Sequence, residues 1–463
     1  MHGNPENWLG EKLEDMAVFL RDACPCSQCV NQSSGQKSFA TTDIPHNIRP
    51  RHVKVSQDFD LEVEWENDVP SAAPDHRGVY PSAFLRNLRF NFPERSHRLR
   101  WKVANRVIPV VSWDLARITS NVQTIDYAEW MGSEDALWRG LFDVEAFGLV
   151  FIRNVPKDEE SVSKIALRIA NLQETFYGRT WDVVSKPEAE NVAYTNSYLG
   201  LHQDMLYLQQ PPRIQALHCM ENSCKGGESI YSDGFRAAEE FEIGSPEFEQ
   251  LTGTKLRYHY DRHPYFYRNS HTVFHLTIPV EKRNWEMQGK RLSAAHLKAV
   301  WWSPPFQATN PPHIDDLPRS KEYHKLIGAM KKYSDVLNDA KNVLEFKMEP
   351  GECVVFDNWR VMHGRKAFDT SSGSRHLRGT YVSDEDFRAK MASAPRDKMD
   401  AFEGELFGKF GELKFTPSPR AGTRMTVADW LKSPVEVATG MEWAPKSQSR
   451  DRDDRPGGRD RGY

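Results

Sequence analysis

Leu201-His202-Gln203-Asp204 and Phe356-Asp357-Asn358-Trp359-Arg360-Val361-Met362-His363-Gly364 are the two stretches that decide how this chain is read. Side chains on extended backbone alternate between faces, so His202 and Asp204 project to the same side. A histidine on a neighbouring strand, here His363, completes a face of two imidazoles and one carboxylate. Such a face leaves three positions open on Fe(II), and non-haem oxygenases fill them with a keto acid and dioxygen. The two stretches together predict an enzyme.

An H-x-D alone is common on surface strands, and its context sharpens it. Asn191-Val192-Ala193-Tyr194-Thr195 leads into the motif, and Pro211-Pro212-Arg213-Ile214-Gln215-Ala216-Leu217-His218-Cys219 follows it. Gly226-Gly227-Glu228-Ser229 opens a turn into a further strand. His363 ends a strand that begins after Pro350-Gly351-Glu352, and Arg375 precedes another extended segment, Arg378 to Val382. A guanidinium fork there suits the far carboxylate of a keto acid, which it grips bidentately. Reading the same residues as ordinary core histidines and a surface arginine asks chance to supply order, strand context and arginine together.

The 463 residues suffice for two domains and a large core. With 61 Lys and Arg against 65 Asp and Glu, the net charge of −4 gives no general attraction to nucleic acid or anionic membrane. Thirteen Trp, fifteen Tyr and twenty-four Phe fit a β-rich fold with well-filled pockets. No apolar run approaches the ~18–20 residues that span a bilayer. Glu6, Glu11, Glu14 and Asp15 set the first segment apart from a secretory h-region or an acid-poor transit helix. The expected setting is intracellular and cytoplasmic, with the mitochondrion left open. The expected partners are a small-molecule substrate and dioxygen.

Of six cysteines, Cys24, Cys26 and Cys29 lie within one tight loop, while Cys219, Cys224 and Cys353 are scattered. Three thiols this close cannot all pair with one another, and in a reducing compartment they read as a metal site. Tetrahedral zinc then needs a fourth ligand, for which the histidines downstream, His46, His52 and His76, are candidates.

Along the chain, residues 1–92 form a small module with alternating runs Arg51–Val55 and Leu61–Trp65, and 93–130 connect it to a second domain, 131–388. There, Trp130–Phe147 and Ser161–Phe176 have helical spacing, and Gly148–Ile152 is a buried strand. Short strands follow between turns: Asn191–Tyr194, Ile214–Met220, Gly227–Ser232, Val273–Ile278, Leu344–Met348 and Cys353–Phe356, with a helix inserted at Ser320–Asn338. The expected fold is mainly β with flanking helices: a double-stranded β-helix (jelly roll) catalytic domain plus a small N-terminal zinc-binding β module. Residues 389–445 read as a helical extension, and 446–463, mixed in charge and without aliphatic residues, as a disordered tail.

These stretches, with Leu20–Cys26, Phe176-Tyr177-Gly178-Arg179-Thr180-Trp181 and Asp233-Gly234-Phe235, resemble the γ-butyrobetaine hydroxylase and trimethyllysine hydroxylase family of 2-oxoglutarate- and Fe(II)-dependent dioxygenases, of TauD/TfdA type. The resemblance covers residues 18–388 and leans to the γ-butyrobetaine branch. It implies iron held by His202, Asp204 and His363, and 2-oxoglutarate held by Arg375 with Leu217 beside it. It implies a cage of Tyr177, Trp181, Tyr194 and Tyr381, whose ring faces attract a quaternary ammonium, with Asn191 at the substrate carboxylate. It points to His76 as the fourth ligand of a structural zinc. The implied reaction is carbon hydroxylation coupled to oxidative decarboxylation of 2-oxoglutarate to succinate, most directly γ-butyrobetaine to carnitine, with ascorbate as an optional reductant and a homodimer as an option.

Two departures bear on the substrate. Met205 stands where that branch often has Tyr, and Val300-Trp301-Trp302-Ser303-Pro304-Pro305-Phe306-Gln307-Ala308 replaces a segment that usually carries Asn and Arg. The same chemistry on trimethyllysine, or on another amine or amino acid of specialised metabolism, is the alternative. An inactive zinc-bearing binding module is the rival from outside enzymology, and the complete H-x-D…H set with Arg375 argues against it.

Overall fold

The computed structural model describes residues 16–85 apart from 57, 59 and 83, then 108–184, 195–277, 289–308, 320–410 and 442–443. They fall into two compact units, one built on the N-terminal residues with 442–443, the other on 108–410. None of the described helices is long and apolar enough to cross a membrane.

In the first unit, helix α1 (Ala17–Asp22) precedes an antiparallel sheet of β1 (Arg49–Val55), β2 (Leu61–Glu66) and β3 (Arg77–Tyr80). Leu61, Val63 and Trp65 alternate with glutamates, so one face of β2 is buried and the other meets water. The core is small, with Leu20, Ile48, Val53 and Tyr80 completing it. A two-residue strand, Glu442–Trp443, pairs with the free edge of β1. The sequence reading placed those two residues in a helical extension; the rest of 411–463 lies outside the described residues.

The second unit begins with α2 (Leu115–Asn121), β4 (Thr124–Asp126), α3 (Tyr127–Gly132), α4 (Glu134–Phe147), β5 (Leu149–Arg153), α5 (Ser161–Leu167) and β6 (Thr180–Val184). It continues through β7 (Leu199–His202), β8 (Ile214–Asn222), β9 (Lys225–Gly226), β10 (Ser229–Asp233), α6 (Gly234–Ala238) and α7 (Pro246–Gly253). Next come β11 (Lys255–Arg262), β12 (Tyr265–Thr272), β13 (Phe274–Leu276), β14 (Leu297–Val300), α8 (Ser320–Leu337) and β15 (Val343–Phe346). β16 (Cys353–Asp357), β17 (Val361–Arg365), β18 (Phe368–Asp369), β19 (Arg375–Val382), α9 (Asp384–Ala392) and α10 (Arg396–Phe410) complete it.

Two sheets make the barrel: six strands in the order β4-β5-β16-β8-β19-β6 and four in the order β15-β10-β17-β7. All neighbours are antiparallel except β4 and β5. Phe151 on β5 meets Phe346 on β15 edge-on, and Tyr231 on β10 meets Phe356 on β16, so the inner faces pack together as in a double-stranded β-helix. The central strand β8 is buried on both faces along all but one of its residues, Glu221.

Several boundaries differ from the sequence reading. Of the expected connector 93–130, the described residues 108–130 contribute β4 to the six-stranded sheet, and Val111 N–H donates to Ala146 O at 2.8 Å, so these residues belong to the barrel unit. Ser133 caps α4 and splits the expected Trp130–Phe147 helix. The helix expected to run to Phe176 stops at Leu167. Leu172 instead bridges to Val382 and Gln173 N–H bonds Tyr381 O, so apolar spacing there reflects a strand-like contact rather than a helical face. The sequence reading did not identify the long hairpin β11–β12; β11 alternates buried and polar residues, but β12 shows no alternation. Helices α9 and α10 lie on α4, where Phe402 packs on Phe142 at 5.4 Å.

Two buried arginines fix the turn between β16 and β17. Arg360, wholly buried, forks onto Asp233 and donates to Ala146 O and Val111 O at 2.8 and 2.7 Å. Arg213 reaches Asp357 at 3.0 Å, Asp384 at 2.9 Å and Glu145 at 3.4 Å. Removing one partner of a buried pair strands the other charge, which costs about 3–5 kcal/mol. Arg360→Met is expected to lose stability of that order in urea unfolding, whereas Lys331→Met, whose pair with Asp335 sits in solvent, leaves the unfolding curve in place.

Candidate functional site

Antiparallel pairing of β7 with β17 sets His202 directly opposite His363, with ring centroids 4.4 Å apart. Asp204 follows just past the end of β7. Its Oδ1 lies 3.4 Å from His202 Nε2, and its Oδ2 lies 3.8 Å from His363 Nε2. One donor atom from each of the three residues falls within 4.8 Å of the others, close enough to share one ion.

The backbone around this face is locked by two carboxamides that sequence reasoning missed. Gln203, fully buried, donates to Asn358 O and accepts from Trp302 N–H at 2.8 Å. The Asn358 carboxamide accepts from Asp204 N–H at 2.9 Å and donates to Asp204 O and Pro212 O. Polar residues inside otherwise apolar motif segments were the available signal, since buried amides persist only when paired. Met205 then turns the chain with φ +64°, a conformation that costs a non-glycine residue about 1–2 kcal/mol.

The electrostatics suit a metal. His202 Nδ1 bonds Gly200 O at 2.8 Å, which fixes the tautomer and leaves the Nε2 lone pair toward Asp204. Burial pushes His363 down to about 3, so it is neutral and able to ligate at pH 7. Burial alone would raise the Asp204 carboxyl, but the two imidazoles and the Tyr381 hydroxyl outweigh it and hold the group well below the usual carboxylate range. Two imidazoles, one carboxylate and an open cleft match the donor set of a non-haem Fe(II) centre.

That cleft, roughly 750 Å³ counted out to its open mouth, lies between the two sheets. Arg375 lines it from β19 and is 6% exposed, and its Nε has no hydrogen-bond partner among the described residues. Arg365 lies beside it, tied to Thr195 O and Ser197 O at 2.8 Å and pushed down to about 10 by burial first and by the charge of Arg375 second. No carboxylate of the described residues pairs with Arg375, so the site fits an incoming anion such as the distal carboxylate of 2-oxoglutarate. Leu217 lines the same cleft from β8.

Tyr177, Trp181 and Tyr381 also line the cleft, whereas Asn191 and Tyr194 lie outside the described residues. Trp181 and Tyr381 stack on each other, centroids 3.9 Å apart and planes 21° apart, so no cation enters between them. Gly379 makes this possible: a Cβ there would sit 2.5 Å from the Trp181 ring. Two rings not singled out from the sequence, Tyr207 and Phe306, meet edge-on at 5.8 Å in the lining. Phe306 comes from the 300–308 segment that departs from the expected pattern.

In the first unit, His76 Nε2 lies 3.7, 3.5 and 3.3 Å from the sulfurs of Cys24, Cys26 and Cys29. Tetrahedral zinc, with arms of about 2.3 Å to sulfur and 2.0 Å to nitrogen, sets its donors roughly 3.5–3.8 Å apart, so the four residues fit it. Asp68 Oδ2 accepts from His76 Nδ1 at 2.7 Å and orients the ring, and Arg21 pairs with Asp68 while reaching Cys29 Sγ at 3.3 Å. His46 and His52 are not in this cluster.

Comparison with known proteins follows the same lines. Residues 114–381 match the family described as taurine catabolism dioxygenase TauD, TfdA family, and residues 9–86 match the gamma-butyrobetaine hydroxylase-like N-terminal family. The chain is 33% identical over 380 residues to Dioxygenase str8 of Strobilurus tenacellus, covering 79% of this chain and 81% of that one. It is 28% identical to the gamma-butyrobetaine dioxygenase of Pseudomonas sp. (strain AK-1), covering 81% and 88%. It is 26% identical to the trimethyllysine dioxygenase of Meyerozyma guilliermondii, again covering 81% and 88%.

Two outcomes are expected. Arg375→Met leaves a buried carboxylate unpaired and is expected to raise the 2-oxoglutarate KM roughly 30- to 700-fold, about 2–4 kcal/mol, in a succinate-release assay. Elemental analysis of the purified chain is expected to find zinc at one atom per molecule, lost in Cys26→Ser together with protection of the first unit from protease.

Proposed function

Because the chain belongs to the taurine catabolism dioxygenase TauD, TfdA family and is a 2-oxoglutarate-dependent dioxygenase, we propose that it hydroxylates a C–H of a small trimethylammonium carboxylic acid, with γ-butyrobetaine the first candidate. The observation that carries this reading is the register pair His202–His363 with Asp204 beside it, facing a cleft that holds a buried arginine at one end and aromatic rings at the other. In the proposal His202, Asp204 and His363 hold Fe(II), Arg375 grips the distal carboxylate of 2-oxoglutarate, and the zinc of Cys24, Cys26, Cys29 and His76 is structural.

Bound iron supplies the redox chemistry: one oxygen atom of dioxygen goes to succinate as 2-oxoglutarate loses carbon dioxide, and the other becomes the new hydroxyl. The protein supplies placement. Arg375 fixes the keto acid by a charged fork, and the outer ring faces of Tyr177, Trp181 and Tyr207 give a trimethylammonium group its favourable contacts while excluding water.

A second reading keeps the chemistry and changes the substrate. Both cations among the described lining residues, Arg365 and Arg375, lie side by side at the keto-acid end, which leaves none of the described residues to pair with a substrate carboxylate. Met205 and Phe306 add apolar surface where polar groups were expected. These features favour a less charged substrate.

The test is succinate release from 2-oxoglutarate with Fe(II), with and without γ-butyrobetaine. Strong stimulation with a hydroxylated product is the expected result. Iron-dependent turnover that γ-butyrobetaine does not stimulate would overturn the carnitine reading and transfer support to the second.

A further inference from the structure

The carboxylate of Asp204 is gripped on one side only. Its Oδ2 accepts from the Tyr381 hydroxyl at 2.7 Å and from Gln215 Nε2 at 2.8 Å. Its Oδ1 faces His202 Nε2 at 3.4 Å, while the gripped Oδ2 stands further off, 3.8 Å from His363 Nε2. The orientation of the Gln215 amide follows from chemistry, since an ionised carboxylate only accepts and the NH₂ end must face it.

Both donors are built into the sheet opposite the histidines. Tyr381 on β19 and Gln215 on β8 are direct register partners, and they are 2% and 1% exposed. The Tyr381 ring is pinned flat against Trp181, so its hydroxyl has little freedom to leave Asp204. A carboxylate without such a grip could rotate and present either oxygen, or both, to an ion. Two donors on Oδ2 use up that oxygen and leave Oδ1 beside the imidazole.

We propose that Tyr381 and Gln215 are positioning residues that hold Asp204 as a one-oxygen metal ligand, with Oδ1 turned to the ion. On this account the hydroxyl of Tyr381, rather than its ring face, is what the site needs from that residue. The inference rests on the reading that His202, Asp204 and His363 hold the metal. Hydrogen-bond partners of metal ligands affect affinity 10- to 100-fold when removed, about the size expected here.

The experiment is a Mn(II) titration of the full chain, freed of iron and followed by electron paramagnetic resonance, because Mn(II) takes oxygen and nitrogen donors and avoids the thiolate cluster. Tyr381→Phe keeps the stacked ring and removes only the hydroxyl; Gln215→Met keeps the volume and removes the amide. Each is expected to weaken Mn(II) about 10- to 100-fold while the metal-free chain still unfolds in one cooperative thermal transition. Asp204→Ala separates the two levels of the argument. If it abolishes Mn(II) binding while both other variants bind as the unaltered chain does, the grip on Oδ2 is overturned and the metal reading stands. If Asp204→Ala itself binds Mn(II) normally, the metal reading falls and the inference with it. Should Tyr381→Phe fail to fold, Gln215→Met decides the matter alone.

Discussion

Everything at the centre of the barrel depends on the register of β17. Because side chains alternate, a slip of one residue against β7 would turn His363 to the opposite face and separate the two imidazoles. The turn Asp357–Arg360 prevents that slip. Its first residue is tied to Arg213, its last is buried against Asp233, and Asn358 between them bonds the backbone on either side of the H-x-D aspartate. Desolvating these charges is expensive, and the pairs are favourable only in one arrangement, which is what a register lock requires. Asp357, Asn358 and Arg360 thus specify the position of His363.

The site is assembled across the two sheets. The histidines stand on the four-stranded sheet, while Arg375, Leu217, Trp181, Tyr381 and Gln215 stand on the six-stranded one. Asp204 joins them, since it leaves the end of β7 and is met by hydroxyl and amide donors from β19 and β8. The residues proposed for metal, keto acid and substrate are therefore brought together by closure of the sandwich rather than by any single loop. Chain outside the strands, such as Tyr177 and Phe306, completes the lining.

Much of this was legible in the sequence, for reasons that differ by residue. His202, Asp204 and His363 were readable because strand alternation and metal geometry both constrain them, and the structure places them together. Cys24, Cys26 and Cys29 announced themselves by spacing, whereas His76 had rivals in His46 and His52 that only the folded arrangement separates. The helix expected through Phe176 misled because an apolar period of three to four is shared by a helix face and by a chain that touches the sheet at Leu172 alone. Tyr381 looked like a ring for a cation, yet its hydroxyl is engaged by Asp204, a contact set by the β8–β19 register and invisible to spacing. Tyr207 and Phe306 were missed because their approach depends on how two separate segments converge.

Gly364 lies beside the irregularity that follows His363 in the β7–β17 pairing. A Cβ at this position would lie 2.6 Å from Leu199 O and 3.1 Å from Gly200 C, so the two backbones meet with no room for a side chain. At this point of its lining the cleft takes its shape from main chain, so its width beside His363 is set by the spacing of two strands and not by the choice of a side chain.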